Sequence, residues 1–208
     1  MYYKQIMCTL LVVMFTPMLG MGSSSVLTFD DIGYVTIYGD IPQSYGGFNW
    51  DSDEIGYCNT TFGGFAGTGY ENGAVSGTYA AYSRDIKVSI TGNSFFSFID
   101  AYFTAAWSDS LNIKIMGLSE GMVLFEETMI ANTNVPVQFT ANYNGIDEVL
   151  IDSGVEVNPH LDDSKVFFLV DDFRTADFVP APLPPAIILF GTGIISLVIG
   201  RKYVGSMA

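Results

Sequence analysis

Residues Val137–Tyr143 read VQFTANY, and this heptapeptide carries the pattern that decides the fold. Its apolar side chains stand at every second position, and the polar Gln138, Thr140 and Asn142 stand between them. Successive side chains of a β-strand point to opposite faces, so this alternation predicts a strand with one buried and one solvated face. Half-buried strands of this kind are typical of antiparallel sheets.

The same alternation recurs in Leu111–Met116 (LNIKIM) and Ile86–Ile90 (IKVSI), and no sustained helical periodicity appears between residues 26 and 178. Asn-Gly and similar dipeptides separate the segments, as tight hairpins require. We therefore predict an all-β fold, an antiparallel two-sheet sandwich of the jelly-roll kind. The predicted strands begin near Val26, Tyr34, Tyr79, Ile86, Phe95, Leu111, Met122, Val137, Ile146 and Lys165. The glycine-rich residues 46–77 are predicted to form long loops, pinned to the sandwich edge by their aromatic side chains.

Both ends of the chain differ from the middle. Residues 1–22 have Lys4, an apolar run and small residues before a predicted cut, the layout of a secretory signal peptide. Residues 23–178 then form the predicted acidic β-sandwich domain, and 179–185 a proline-rich linker. Residues 186–208 are predicted to be a transmembrane helix and a basic tail, with Arg201 and Lys202 as the membrane stop. This layout places the domain outside the cytoplasm.

The charge of the middle region limits its partners. All 22 acidic residues lie between Asp30 and Asp177, with five basic residues among them, which leaves a net charge of −17. Such a domain repels nucleic acid and anionic lipid, so we predict no nucleic-acid partner. The partners that remain are cations, neutral polymers such as polysaccharide, or none that is specific. Cys8 falls in the leader, so Cys58 is predicted to be a lone, buried cysteine.

Two acidic pairs lie on the first and last predicted strands: Asp30 with Asp31, and Asp171 with Asp172. Terminal strands of a jelly roll commonly lie side by side, which would bring the four carboxylates together. Such a group of oxygens favours a structural Ca²⁺ ion. Arg174 is a competing source of positive charge, and the four aspartates are equally compatible with solvated strand ends.

The aromatic residues of the glycine-rich region allow two interpretations. Tyr45, Phe48 and Trp50, with Tyr57 and Tyr70, form a candidate sugar-stacking platform, or they pack within the domain. His160 is the only histidine and stands in an acidic, proline-containing segment predicted to be an exposed loop. It has no recognisable nucleophile partner, and we predict no catalytic residues and no enzyme activity.

The C-terminal segment resembles the PEP-CTERM/VPLPA class of sorting signals of Gram-negative bacteria. The resemblance rests on the proline motif (Pro180, Pro182, Leu183, Pro184 and Pro185), the LFGTG run at 189–193 and the basic residues Arg201 and Lys202. It departs from the common form at Ala181 and Pro185. It implies Sec export, a transient inner-membrane anchor with the domain on the periplasmic side, cleavage by an exosortase, and release to the cell surface or outside the cell.

The middle region also resembles domains found ahead of such sorting segments, through YGGFNW (residues 45–50), GYENGAVSG (69–77), AYFTAAWSDSLNIKIMG (101–117), YNGIDEVLI (143–151) and FFLVDDF (167–173). These domains are similar to jelly-roll carbohydrate-binding modules. Two functions follow as expectations. The first is a non-catalytic, exosortase-sorted protein of the cell surface or exopolysaccharide matrix. The alternative is a calcium-stabilised carbohydrate-binding module that holds the secreted polysaccharide.

Overall fold

The computed structural model describes residues 22–154 and 156–180. The predicted signal peptide, most of the sorting motif, the transmembrane segment and the membrane stop lie outside these residues. The described part contains ten strands: β1 (Ser24–Leu27), β2 (Tyr38–Asp40), β3 (Phe48–Trp50), β4 (Ile55–Asn59), β5 (Tyr79–Ser83), β6 (Lys87–Ala105), β7 (Leu111–Ser119), β8 (Met122–Ala131), β9 (Val137–Asp152) and β10 (Phe168–Asp177).

All the strand pairs are antiparallel, which confirms the predicted all-β antiparallel class. The strand order is β2-β4-β5-β10-β6-β9-β7-β8, with β1 on β10 and β3 on β6. The hydrogen bonding therefore runs through one continuous sheet instead of two separate ones. The continuity comes from β6 and β9, which are 19 and 16 residues long and cross from one half of the sheet to the other.

Irregularities in the two long strands explain how the sheet changes direction. The β6–β9 register shifts between Thr91 and Phe96, around the Gly92-Asn93 pair that the sequence marks as a turn. An extra residue in one strand bends it and increases its local twist. The predicted strand starts at Ile86 and Phe95 thus belong to one strand, and those at Val137 and Ile146 to another.

Two further predictions need correction. No strand begins near Tyr34, since β2 starts at Tyr38. The glycine-rich residues 46–77 are only partly loop, because they include β3 and β4. Their glycines stand largely where side chains or backbone approach closely, so composition alone overstates the loop content.

The main core lies between the two halves of the curled sheet. It collects buried side chains from strands at both ends of the strand order, including Ile55, Val88, Phe98, Ile113 and Phe173. The heptapeptide VQFTANY (Val137–Tyr143) has the predicted burial pattern. Its alternate apolar residues from position 139 on are buried, and the polar residues between them are exposed. Burial of apolar area on this scale is the main source of stability for such a domain.

A second, smaller apolar cluster lies on the opposite face of β4, β5 and β10. It comprises Cys58, Phe65, Tyr70, Ala80, Ala106 and Leu169, and the segment between β4 and β5 supplies two of these. Cys58 is fully buried, as predicted, and burial raises the pKa of its thiol to about 12. A protonated thiol is a poor nucleophile, so Cys58 serves packing.

Residues Gly22–Phe178 form a compact unit that contains all ten strands and both apolar clusters. A segment with its own complete core is able to fold alone. Across the part of the chain that is described, no helix has the length and apolar character needed to cross a membrane.

Candidate functional site

The first predicted acidic pair lies just after β1, and its carboxylates are already used. Asp30 Oδ1 accepts hydrogen bonds from the backbone N–H groups of Thr78 (2.7 Å) and Tyr79 (3.2 Å). Asp31 Oδ1 accepts one from the Tyr45 hydroxyl at 2.6 Å. Asp30 therefore fixes the end of the loop that leads into β5.

The second pair, on β10, holds the same loop from the other side. Asp171 Oδ2 accepts from the N–H groups of Val75 (2.6 Å) and Ser76 (3.0 Å), and the Ser76 hydroxyl donates to Asp172 Oδ1 at 2.6 Å. Asp171 is fully buried, and this burial raises the pKa of its carboxyl to about 7. The backbone N–H donors oppose the rise, and the charge of Asp172 adds to it.

Three of the four aspartates (Asp30, Asp171 and Asp172) thus tether residues 75–79, and Asp31 holds the Tyr45 hydroxyl instead. The terminal strands β1 and β10 do lie side by side, as predicted, with Val26 opposite Arg174. Gly77 has a φ of +60°, and a Cβ atom there would lie 2.0 Å from Asp30 Oδ2, so the loop fits only with glycine. Among residues 22–154 and 156–180 no three His, Cys, Asp or Glu side chains are grouped to hold a metal ion. The predicted calcium site stays a prediction, in competition with these N–H donors.

Two of the three residues of the predicted sugar platform are buried, which is the packing alternative that the sequence left open. Phe48 and Trp50 belong to the main core, and Trp50 is 2% exposed. Its indole N–H donates to the Tyr45 carbonyl at 2.8 Å. Tyr45 is half-buried, and its hydroxyl accepts from the Phe29 N–H at 3.2 Å while donating to Asp31. Rings that face the core cannot stack on a sugar.

His160 is exposed in the segment between β9 and β10, as the sequence predicts. The neighbouring Asn158 is fully buried and joins this segment to β7: its side chain donates to the Asn112 carbonyl (2.8 Å) and accepts from the Asn112 N–H (2.9 Å). The polar contacts of this segment are structural.

A different group of aromatic rings faces outward, on the far side of β2, β4 and β5 from the main core. We call it the outer aromatic patch. Its most exposed rings are Tyr38 and Trp107, at 47% and 45%. Neighbouring ring centroids are 4.8–6.3 Å apart. The patch comprises Tyr38, Phe65, Tyr70, Tyr82 and Trp107.

Strand register places two of these rings side by side. Tyr38 on β2 lies opposite Cys58, which lies opposite Ala80 on β5, so small side chains leave room for the rings above them. Tyr82 lies two residues further along β5, and its ring centroid is 4.9 Å from that of Tyr38. Both rings therefore stand on regular strands and not on a mobile loop.

The segment between β4 and β5 supplies the supporting rings. Phe65 and Tyr70 are buried and stacked, with centroids 4.8 Å apart, and Tyr70 meets Trp107 edge-on at 5.3 Å. Gly69 donates its N–H to the Ala106 carbonyl at 3.0 Å, and a Cβ atom at that position would lie 1.7 Å from the Ala105 carbonyl oxygen. Glycine is thus required for this close approach.

Charged groups border the patch at one end. Arg84 donates to the Tyr82 hydroxyl (2.8 Å), to Asp40 Oδ1 (2.7 Å) and to the Gly39 carbonyl (3.0 Å), and its guanidinium carbon lies 5.3 Å from the Tyr82 ring centre. Gly56 leaves the space that the guanidinium fills, since a Cβ atom there would lie 2.5 Å from it. The Asp40 side chain is 71% exposed, so its carboxylate remains accessible from solvent.

Asp40 also lines an open cleft of about 360 Å³ next to the patch. The other lining residues are mostly polar: Ile41, Gln43, Asn49, Trp50, Asp51 and Ser52. The surface thus passes from aromatic rings to hydrogen-bonding groups across Arg84 and Asp40.

Burial is the main cause that raises the pKa values of Tyr38, Tyr70 and Tyr82 above the ordinary tyrosine value. Their hydroxyls stay protonated near neutral pH and can donate hydrogen bonds. Flat apolar rings bordered by donors and acceptors suit a ligand that has both apolar faces and hydroxyl groups.

Sequence reasoning missed Tyr38, Tyr82 and Trp107. Trp107 ends a long apolar run and stands immediately before the turn residues Ser108-Asp109, and that position at a strand end is the one available indication of exposure. Tyr70 was named among the aromatic candidates and does lie in the patch, although it is buried.

Comparison with known proteins gives only distant matches. No protein-family model matches the chain, and no curated protein matches its sequence. The tandem family 22 carbohydrate-binding modules of Paenibacillus barcinonensis Xyn10C are 12% identical with a TM-score of 0.42, over 79% of this chain and 47% of theirs. This chain therefore spans about half of that structure.

Variants of a family 29 carbohydrate-binding module, CBM29-2, are also similar. One is 14% identical with a TM-score of 0.37, over 78% of this chain and 100% of that one. Another, complexed with mannohexaose, is 13% identical with a TM-score of 0.36, over 76% and 94%. At such low scores and identities these matches carry no information about a ligand of this chain.

Proposed function

We propose that this chain is a carbohydrate-binding protein that holds an extended, neutral polysaccharide on its outer aromatic patch. The observation that carries the proposal is the pair of exposed rings, Tyr38 and Trp107, supported by buried rings and bordered by Arg84 and Asp40. Exposed apolar surface that is rimmed by polar residues is a common mark of a binding site.

The geometry of the patch matches the chemistry of a sugar. The C–H faces of pyranose rings are apolar and pack on aromatic faces, while their hydroxyls need donors and acceptors. Arg84 and Asp40 supply both at the edge of Tyr82, and the adjoining cleft adds amide and hydroxyl groups. The rings are held before a ligand arrives, which lowers the ordering cost of binding.

The net charge of the domain selects among polysaccharides. A charge of −17 between Asp30 and Asp177 repels uronic-acid-rich and sulfated polymers over distances of about a Debye length, ~8–10 Å at moderate salt. Neutral polymers are unaffected by this field. The proposed ligand is therefore a neutral glycan chain long enough to span several rings, and the curled sheet would act as a jelly-roll-like binding module.

The test is affinity electrophoresis of residues 22–178 through gels containing neutral or acidic polysaccharides, with mannan, xylan and mixed-linkage glucan as the neutral panel. We expect retardation by at least one neutral polymer and none by pectate or alginate. Absence of retardation by every neutral polymer, or retardation by the acidic ones alone, contradicts the proposal.

We further propose the itinerary that the terminal segments suggest: Sec export, a transient inner-membrane anchor, and exosortase cleavage near Pro180–Pro185. The support is the sequence resemblance alone. Mass spectrometry of the surface-exposed protein tests it, because cleavage predicts a C-terminus near the proline motif. An intact C-terminal Ala208 contradicts it.

A further inference from the structure

Strand β8 (Met122–Ala131) forms an edge of the sheet. It is the last strand in the order and pairs only with β7 among the described strands. The outer row of its backbone N–H and C=O groups is therefore available to another strand. Its side chains are unusually apolar for an edge, with Met122, Leu124 and Ile130 exposed at 64%, 50% and 56%.

Two glutamates occupy the middle of this strand. Glu126 lies opposite Met116 and Glu127 opposite Ile115 on β7, so their side chains leave the strand on opposite faces. Both are exposed, and neither takes part in an ion pair with any other described residue. The segment from Glu120 to Pro136 contains no basic residue. The edge thus presents an apolar–acidic–apolar pattern.

This pattern disfavours a second copy of the chain as the partner. Antiparallel pairing of two β8 strands about their midpoint would place Glu126 directly opposite Glu127 at two positions, and like charges in direct opposition destabilise a strand pair. Two domains that each carry a charge of −17 would also repel one another. Charge repulsion therefore disfavours pairing of β8 with a second β8, but it does not disfavour pairing of β8 with a basic strand.

We propose that the β8 edge is a docking site for an extended peptide segment of another protein, which adds to the sheet as a further antiparallel strand. The segment would carry two adjacent Lys or Arg residues between apolar residues. Main-chain hydrogen bonds would supply affinity, as in other strand-addition complexes, and the two basic side chains would meet Glu126 and Glu127, one on each face. Apolar partners would cover Leu124 and Ile130.

This site is independent of the proposed glycan site. The strand β2, which carries Tyr38 and Asp40, ends the strand order on one side, and β8 ends it on the other. Failure of either proposal thus leaves the other unaffected.

The experiment is fluorescence polarisation with residues 22–178 and dye-labelled ten-residue probe peptides. The first probe has a central Lys-Lys pair between Val-Thr repeats, and the second has Glu-Glu in its place. The third is the Lys-Lys peptide with N-methylated amides on its docking edge, which cannot add as a strand. We expect the Lys-Lys probe to bind at least tenfold more tightly than the other two.

The charge-reversed variant Glu126→Lys/Glu127→Lys provides the specificity test, because both side chains are exposed. Glu127 also acts on the Tyr143 hydroxyl of the core, so the single variant Glu126→Lys is measured beside it and the melting curves of both are compared with that of the parent. The affinity of the double variant for the Lys-Lys probe should be at least tenfold lower than that of the parent, and the double variant should bind the Glu-Glu probe instead. Equal binding of the N-methylated and unmodified peptides would overturn strand addition. Unchanged selectivity in the variant would overturn the role of the two glutamates, and a stable dimer of the parent protein in light scattering would overturn the exclusion of a second copy.

Discussion

Two groups of aromatic rings of similar size occupy opposite situations in this molecule. The inner group, Phe29, Tyr45, Phe48, Trp50 and Phe173, lies between the halves of the curled sheet with ring centroids 5.7–6.3 Å apart. The outer aromatic patch has similar spacings but only one covered side. Trp50 is 2% exposed and Trp107 is 45% exposed. A cluster of aromatic rings by itself therefore indicates neither a core nor a binding site. Whether another part of the chain covers the rings decides which of the two it is.

The comparison is sharpest at the two tryptophans. Trp50→Ala should lower the free energy of unfolding by roughly 3–5 kcal/mol, because it removes a buried ring and leaves a cavity. Urea denaturation followed by tyrosine fluorescence or circular dichroism measures the change. A loss below about 1 kcal/mol would mean that Trp50 is not a core residue and would restore it as a ligand-contact candidate.

The loop that supports the outer patch should make stability depend on pH through Asp171. Burial raises its pKa from the ordinary aspartate value of 3.8 to about 7, so the folded state binds more protons than the unfolded state between these values. Stability from this group is therefore full below about pH 4 and falls as the pH rises to about 7, by up to ~4 kcal/mol at 1.36 kcal/mol per pKa unit. Asp171→Asn should remove this dependence.

Denaturation curves at several pH values between 4 and 8 test the sign. The control is Asp163→Asn, an exposed aspartate in the short 3-10 turn before β10, which should leave the parent pH dependence in place. A slope that is the same in the parent and in Asp171→Asn would show that the buried carboxylate does not govern it.

Because aspartate side chains hold residues 75–79 in place, we expect a smaller loss of stability from a substitution at Gly77. Gly77→Ala should cost roughly 1–3 kcal/mol, from the left-handed backbone and from contact with the Asp30 carboxylate. Gly63→Ala, in the same segment, has open space around its Cβ position and no positive φ, and should be nearly neutral. Differential scanning calorimetry compares the two, and equal melting temperatures would contradict the tether.

The smallest expected change in stability belongs to the outer patch. Trp107→Ala should alter the free energy of unfolding by less than about 1 kcal/mol, since its ring is packed on one side only. The same urea titration used for Trp50→Ala measures it. A loss comparable to that of Trp50→Ala would place Trp107 in the core and remove it from the proposed site.

The antiparallel fold was predictable because alternation is a local property. In VQFTANY and LNIKIM the polar residues that alternate with apolar ones lie on the less buried face of their strand. The continuity of β6 was not predictable from the sequence. Gly92-Asn93 reads locally as a turn, but in the structure it is a bend within β6, which pairs with β3 and with β9.

The site was harder to predict for the same reason. Trp50 stands in a glycine-rich segment, which left its ring open between sugar stacking and packing, and Trp107 ends an apolar run, which suggests burial. The structure buries Trp50 because the sheet covers β3, and it exposes Trp107 because that residue follows the end of a strand beside a turn. Those facts depend on pairing across long sequence separations, such as Trp50 with Ile90. The terminal strands were correctly predicted to be neighbours, although Asp30 and Asp31 lie just after β1 and not on it. The sequence did not show that the 75–79 loop and the Tyr45 hydroxyl occupy the carboxylate oxygens.

The central claim, that the outer aromatic patch binds a neutral polysaccharide, is tested most directly by isothermal titration calorimetry. The polysaccharide that retards the domain in affinity electrophoresis is titrated into the parent domain and into the variants Trp107→Ala and Tyr34→Ala. Tyr34 is a highly exposed tyrosine outside the patch and serves as the control. We predict that Trp107→Ala weakens binding at least tenfold, equivalent to about 1.4 kcal/mol, and that Tyr34→Ala binds like the parent. Parent-like binding by a folded Trp107→Ala variant would contradict the account.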